Sequence, residues 1–230
     1  MDADTLERTL EALRERVEGS PLGDALALCV QSGVGLLGVT GAGLMMIDGQ
    51  AALRSVAASD ETGYVLEETQ ERWGEGPCVD ALVHDQPVVV EDLAADERWP
   101  RIRKELAGTR VRAVLGVPVH VAGGPVGSLN VYRDAAHEWS ERESASLHAY
   151  GGLVEGVLAG ALRSRQQSEL ATRLRQGLEE RVTVERAVGY IMGRDGVDAV
   201  AAFNRLRRGA RDAGRRVAEA AAELLRETRA

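Results

Sequence analysis

The chain has 230 residues, a formal net charge of −8 and 44% hydrophobic residues, enough apolar mass for one large domain or two modest ones and too much for an unfolded tail. Aromatics make up 3% while glycine numbers 26, so the core has to be built from Ala, Val and Leu with few large anchors. No apolar run approaches the roughly 18–20 residues of a membrane span, and Met1-Asp2-Ala3-Asp4 lacks the basic flank and apolar stretch of a signal peptide, so a cytoplasmic protein is expected.

From Asp4 to Val17, Leu6, Leu10, Leu13 and Val17 recur at steps of four, three and four, with Asp4 and Glu7 in capping-box spacing. This predicts an amphipathic helix. A second helix is expected after Pro21, from about Asp24 to Leu37, with Leu26, Cys29, Val30, Val34 and Leu37 on one face. From Ala42 the texture changes to short apolar runs, and Gly43–Ile47, Asp48-Gly49 and Leu53–Ala58 read as a hairpin. Further strands are expected at Pro87–Glu91, Arg112–Val121 and Val126–Tyr132, the last two joined by the turn-forming run Ala122-Gly123-Gly124-Pro125. Leu115, Val117, Val119 and Val121 share one strand face and His120 the other. Helical or irregular segments are expected around Tyr64–Trp73 and Trp99–Leu106. Cys29 and Cys78 fit no metal-ligand or CxxC spacing and read as two buried thiols.

Ser140 and Glu143 form a second capping-box spacing, after which no proline occurs as far as Ala230, so the remainder is expected to be helical. Gly152, Gly156 and Gly160 recur at steps of four beside Leu153 and Val157. Glycine is unfavourable in a helix interior, so such a row marks close backbone approach, either to a second copy in a homodimer or to the chain's own sheet. Leu170, Leu174, Leu178 and Val182 extend the pattern in a stretch rich in Arg, Gln and Glu that reads as a coiled-coil connector. Gly193–Val197 interrupts it, Asp198 can cap a helix from Ala199 to about Asp212, and Ala213-Gly214 precedes a last helix from Arg216 to about Arg226. Three helices are then expected to pack around Ala187, Met192, Val197, Phe203, Leu206, Ala210, Val217, Ala221 and Leu224, with Phe203, the only phenylalanine, as a core pin.

The charge divides along the same line. Residues up to Leu162 carry 13 basic and 26 acidic side chains, those from Arg163 onward 15 basic, all Arg, and 10 acidic. An acidic domain followed by a basic one suggests different partners. Arg205, Arg208 and Arg211 fall at steps of three on one helix face, next to Arg207, with Arg215 and Arg216 opening the next helix. Guanidinium groups grip phosphate oxygens and stack on splayed loop bases, which suits single-stranded RNA loops. Three short helices also describe a DNA-binding regulator, and a basic tail can bind proteins instead. An enzyme is not expected. There is no GxGxxG, P-loop, HExxH or GxSxG, and His84, His120, His137 and His148 stand singly, so no metal and no bound cofactor are assigned.

Two resemblances rest on ordered motifs. Gly74-Glu75-Gly76-Pro77-Cys78 leading into Ala81-Leu82, the Val88–Leu93 strand, Asp96–Pro100, Val117-Pro118-Val119 and Gly124–Tyr132 resemble a GAF sensory domain. That resemblance implies an antiparallel sheet flanked by helices, a cavity for a small molecule and a tendency to dimerise. Cys78, His120 and Tyr132 are its candidate ligand-binding residues. The Lys- and Phe-bearing cyclic-nucleotide signature of some members does not fit a domain with one Lys and no Phe. Glu185–Met192, Ala202-Phe203, Leu206-Arg207, Ala210-Arg211-Asp212 and Arg215-Arg216-Val217 are similar to the ANTAR domain. This implies a three-helix module that binds paired short-loop hairpins in nascent transcripts and prevents transcription termination. The matched Arg207, Arg211 and Arg215 are its implied RNA contacts, and Arg205, Arg208 and Arg216 join them by position. Val188 stands where the family commonly has Lys. The expectation is therefore an α+β chain: a GAF-like domain at 1–160, a coiled-coil connector at 161–169 that carries the signal along the helix after Ser140, and an ANTAR-like RNA-binding module at 170–230.

Overall fold

The computed structural model describes residues 11–13, 15–17, 19–48, 52–163 and 169–228. The first expected helix is seen at 11–13 and 15–17, while its capping residues Asp4 and Glu7 lie outside the described residues, as do the tip of the first hairpin and residues 164–168.

Helix α1 (Leu22–Leu37) follows Pro21 and closes on Gly38 in the left-handed conformation. The hairpin β1 (Gly41–Ile47) and β2 (Leu53–Ala58) follows it. Asp60 then caps α2 (Glu61–Trp73) by accepting from Gly63 N at 2.7 Å, and α2 ends at Gly74 with φ 65°. Helix α3 (Pro77–His84) starts on a proline in its first turn. It was not legible as a helix, because eight residues holding Pro, Cys and two Val present no clear period. Next come β3 (Val88–Val90), α4 (Pro100–Leu106), β4 (Ala113–Val121) and β5 (Gly124–Arg133). A two-residue turn joins β4 and β5, Ala122 and Gly123 both having positive φ, the geometry that matches strand twist.

The five strands form one antiparallel sheet in the order β2-β1-β5-β4-β3. One face, carrying Leu44, Leu115, Val117, Val119, Leu129 and Val131, packs against α1 and α5 (Glu141–Arg163). The Tyr150 hydroxyl ties those helices together by donating to Cys29 O at 2.7 Å. The other face is covered by α2 and α3. Helix α5 opens with the expected capping box: Glu143 N donates to Ser140 Oγ at 3.2 Å, and Ser140 N to Glu143 Oε2 at 2.9 Å.

The long tail departs from the expected straight connector. Helix α6 (Glu169–Asp195) doubles back beside α5, since Arg175 Nη2 donates to Leu162 O at 3.2 Å. Thirteen residues of straight helix would set those groups roughly 20 Å apart. Leu170, Leu174 and Leu178 therefore pack on the core of the sheet domain instead of a coiled-coil seam, and Val182 is exposed. Apolar surface was available close by, Ile47 lying against Gly177. From Val184 on, α6 contributes to a second core, formed with α7 (Ala199–Asp212) and α8 (Val217–Glu227) around Ala187, Ile191, Phe203, Leu206, Ala210 and Ala221. Asp198 caps α7 as expected, accepting from Ala201 N at 2.7 Å. Met192, an expected core residue, is instead 37% exposed, and its neighbour Ile191 takes the inward position.

Candidate functional site

Two groups of residues carry the chemistry, one inside the sheet domain and one on the C-terminal module. The first lies under α2 and α3. Glu67, Gln70, Cys78, Ser128 and Asn130 are all essentially unexposed and bonded to one another. Asn130 Nδ2 donates to Glu67 Oε1 at 3.0 Å, the Cys78 thiol lies 3.3 Å from Glu67 Oε2, and Ser128 Oγ donates to Asn130 Oδ1 at 2.7 Å. Gln70 Oε1 accepts from Cys78 N at 2.8 Å. Burial raises the Glu67 carboxyl to about 7, against the lowering effect of the Asn130 and Cys78 hydrogen bonds. Burial, then the Glu67 charge, pushes the Cys78 thiol well above its ordinary range, which makes it a poor nucleophile at neutral pH. Cys29 is likewise raised by burial, to about 11. Both cysteines are free and buried.

Sequence reading found Cys78 but not its partners. Their trace is the pair Gly43 and Gly116, glycines inside strands: a Cβ at Gly43 would stand 2.8 Å from Glu67 Cδ, and one at Gly116 2.8 Å from Asn130 Oδ1. The three expected ligand residues do not converge. Tyr132 donates its hydroxyl to the Asp60 carboxylate at 2.9 Å. His120 pairs across the hairpin with Pro125, six β4 residues beyond the partner of Tyr132, a separation of roughly 20 Å along a strand. Its ring nitrogens lie 3.1 Å from Glu155 and 2.6 Å from Asp85, so a strand histidine held between two carboxylates takes the place of a cavity wall. Among the described residues no group of His, Cys, Asp and Glu is arranged to hold a metal ion.

The second is the arginine set. Arg208 and Arg211 are exposed on α7 and make no ion pair among the described residues. The others are tethered to carboxylates: Arg205 to Asp195 at 2.6 Å, Arg215 to Glu223, and Arg216 to Glu180 and Glu219. Arg207 faces the sheet domain. Its guanidinium lies 5.8 Å above the Phe203 ring, and burial lowers its pKa from the ordinary value. The six do not form one cluster: Arg205 is tied to Asp195 and Arg216 to Glu180, fifteen residues apart in α6 and so roughly 22 Å along it, while α7 presents Arg208 and Arg211 without an ion pair among the described residues. Along α5, a Cβ at Gly152, Gly156 or Gly160 would meet nothing within 4 Å among the described residues. The glycine that faces the sheet is Gly151, near Val117, so the row points away from the chain's own sheet. Among the described residues no helix is long and apolar enough to cross a membrane.

A family model described as GAF domain matches residues 3–159, and one described as ANTAR domain matches residues 172–225. Among solved structures, the chain is similar to the GAF domain of an Acinetobacter phosphoenolpyruvate-protein phosphotransferase, with 21% identity, a TM-score of 0.56, and coverage of 73% of this chain and 100% of that one. A GAF domain of a phosphoenolpyruvate-protein phosphotransferase from Coxiella burnetii gives 21% identity and a TM-score of 0.56 over 70% of this chain and 96% of that one. Free methionine-R-sulfoxide reductase from Neisseria meningitidis, solved with its substrate, gives 16% identity and a TM-score of 0.52 over 66% and 87%. At these identities the likeness is one of fold. No curated protein matches the chain.

Proposed function

Because the chain belongs to the GAF domain family and carries an ANTAR domain at residues 172–225, a sensor joined to an RNA-binding antitermination domain, we propose that it binds paired hairpins in nascent transcripts and controls transcription termination in response to a signal. The observation that carries this reading is the exposed couple Arg208 and Arg211, without an ion pair among the described residues, on a helix of the matched module. Arg205 and Arg207 lie on the same helix, and Arg215 and Arg216 immediately precede α8. Phosphates approaching α7 meet two cations without first breaking an ion pair, and the tethered arginines can exchange their carboxylates for phosphate as the contact grows.

The signal enters the GAF domain, where α2 and α3 cover the Glu67–Asn130 cluster, and a small molecule is the proposed input. A homodimer is proposed through α5, whose outward glycine row leaves room for a second helix to approach closely. The test of function is a competition on the full chain between a pool of tandem RNA hairpins with randomised loops and duplex DNA from the same pool. Preference for the hairpins at every salt concentration is expected. Equal retention, or preference for the duplex, would make the protein a DNA-binding regulator, and retention of neither would leave the module a protein-binding one.

A further inference from the structure

We infer that the sensory domain grips the Arg207 face of α7 while Arg208 and Arg211 stay exposed, so that docking on the sensor and full engagement of RNA compete for that face; this rests on the RNA-binding reading above. The contact is an apolar seam with a polar rim. Val83 of α3 packs against the core of the module, and Val200 of α7 packs against the core of the sensor. Beside them Asn204 and Arg207 lie over the C-terminal end of α2. A Cβ at Gly74 would stand 2.6 Å from Arg207 Nη1 and 3.0 Å from Asn204 Oδ1, so the left-handed glycine that ends α2 is also what lets α7 settle there.

The sensor offers Arg207 a mixed field. After burial, the Arg54 cation is the strongest charge acting on it and opposes it, while the carboxylates of Asp48 and Glu71 and the carbonyl end of the α2 dipole favour it. Arg54 already takes both carboxylates, at 2.9 Å and 2.6 Å, and among the described residues Arg207 makes no hydrogen bond. The partial burial of this guanidinium, which lowers its pKa, opposes docking. So does Asp80 of α3, one of whose carboxylate oxygens is buried and unpartnered among the described residues; the Asp198 charge at the cap of α7 opposes it, though less strongly than His84 and Arg98 attract it. The apolar seam favours the docked state and these groups favour release, the balance a switch between two states requires.

The grip is also wired to the sensor's interior. Helix α2 carries Glu67 and Gln70 into the buried cluster and ends at Gly74, while α3 carries Cys78 into the same cluster and Val83 onto α7. A ligand that displaces the cluster moves the two helices that hold the module, a path of two helical turns that does not pass through α5.

The experiment opens the seam from the sensor side in the full chain and leaves α7 untouched. Gly74→Ala places a Cβ 2.6 Å from Arg207 Nη1 and 3.0 Å from Asn204 Oδ1, and Val83→Arg sets a charge in the apolar seam. Both variants should bind the tandem-hairpin pool more tightly than the parent, by up to about tenfold for a parent that is about nine-tenths docked. Equal affinity in the parent and both variants, with RNA bound by all three, removes the occlusion and leaves the RNA reading standing. If parent and variants all retain no RNA, the RNA reading falls and takes the competition with it.

Discussion

In the sensory domain the carboxyl of Glu67 and the thiol of Cys78 lie beneath the sheet with no exposure, whereas in the ANTAR module five of the six proposed arginines are exposed and the core is apolar. A buried carboxyl answers to proton concentration, because removal from water changes its protonation. Exposed guanidinium groups answer to ionic strength, because counterions compete for the same phosphates. The two domains should therefore respond to different solution variables.

The largest effect expected within this contrast comes from the module's small core. Phe203→Ala removes its one aromatic, 7% exposed, at a cost of about 3–5 kcal/mol, more than a three-helix module of this size can spare. Helicity and hairpin binding should be lost together. Trp73, Trp99 and Trp139, all the tryptophans of the chain, belong to the sensory domain, so its fluorescence-detected unfolding should persist as a separate transition. Loss of both signals at one temperature would show a single cooperative unit.

Next in size is the pH dependence of the sensor. The Glu67 carboxyl, raised to about 7 in the folded state, favours folding in its protonated form. Its contribution is fully present below the unfolded carboxyl value of about 4.3 and is lost as pH rises through about 7, on the order of 3 kcal/mol in total. Urea midpoints followed by tryptophan fluorescence should fall between pH 5 and pH 8 in the parent and change less in Glu67→Gln. Parallel profiles for the two proteins would remove Glu67 from the account.

A smaller change is expected from replacing both Arg208 and Arg211 with Ala. The slope of log affinity against log salt should become shallower by somewhat under about one unit for each lost phosphate contact, while thermal stability moves by less than about 0.5 kcal/mol, as for exposed positions in general. Filter-binding titrations at several salt concentrations read this directly, and an unchanged slope would exclude both residues from the interface. The smallest stability effect belongs to Gly156→Leu. In an isolated helix with open space at that position, Leu should stabilise by up to about 0.8 kcal/mol, but in a close helix pair it forces the backbones apart. Sedimentation should show a parent dimer and a variant monomer, and a parent that sediments as a monomer at about ten micromolar would end the dimer proposal.

What the sequence revealed follows from how far its signals reach. Alternation placed the β4–β5 hairpin within a few residues, and the Ser140–Glu143 and Asp198 caps marked helix starts that the structure shows hydrogen-bonded. These are local features, decided within a few residues. Helix α3 was missed because its eight residues are held by tertiary packing, and the reversal between α5 and α6 because Leu174 and Gly177 serve the sheet domain equally well as a coiled-coil seam on spacing alone. The candidate site divides in the same way. Arginine spacing in α7 identified the charged face, but nothing local distinguishes Arg207, turned to the sensor, from Arg208, turned to solvent. Cys78 was visible by residue type, while Glu67 and Asn130, 63 residues apart, meet only in the fold.

The central claim, that the module reads hairpins in nascent RNA, is tested most directly by crosslinking the intact protein to RNA in its native cells and sequencing what is bound. The account predicts reads concentrated on paired short-loop hairpins next to terminators, and their loss when Arg208 and Arg211 are both Ala. Reads spread evenly over transcripts, or recovery of DNA in place of RNA, would contradict it.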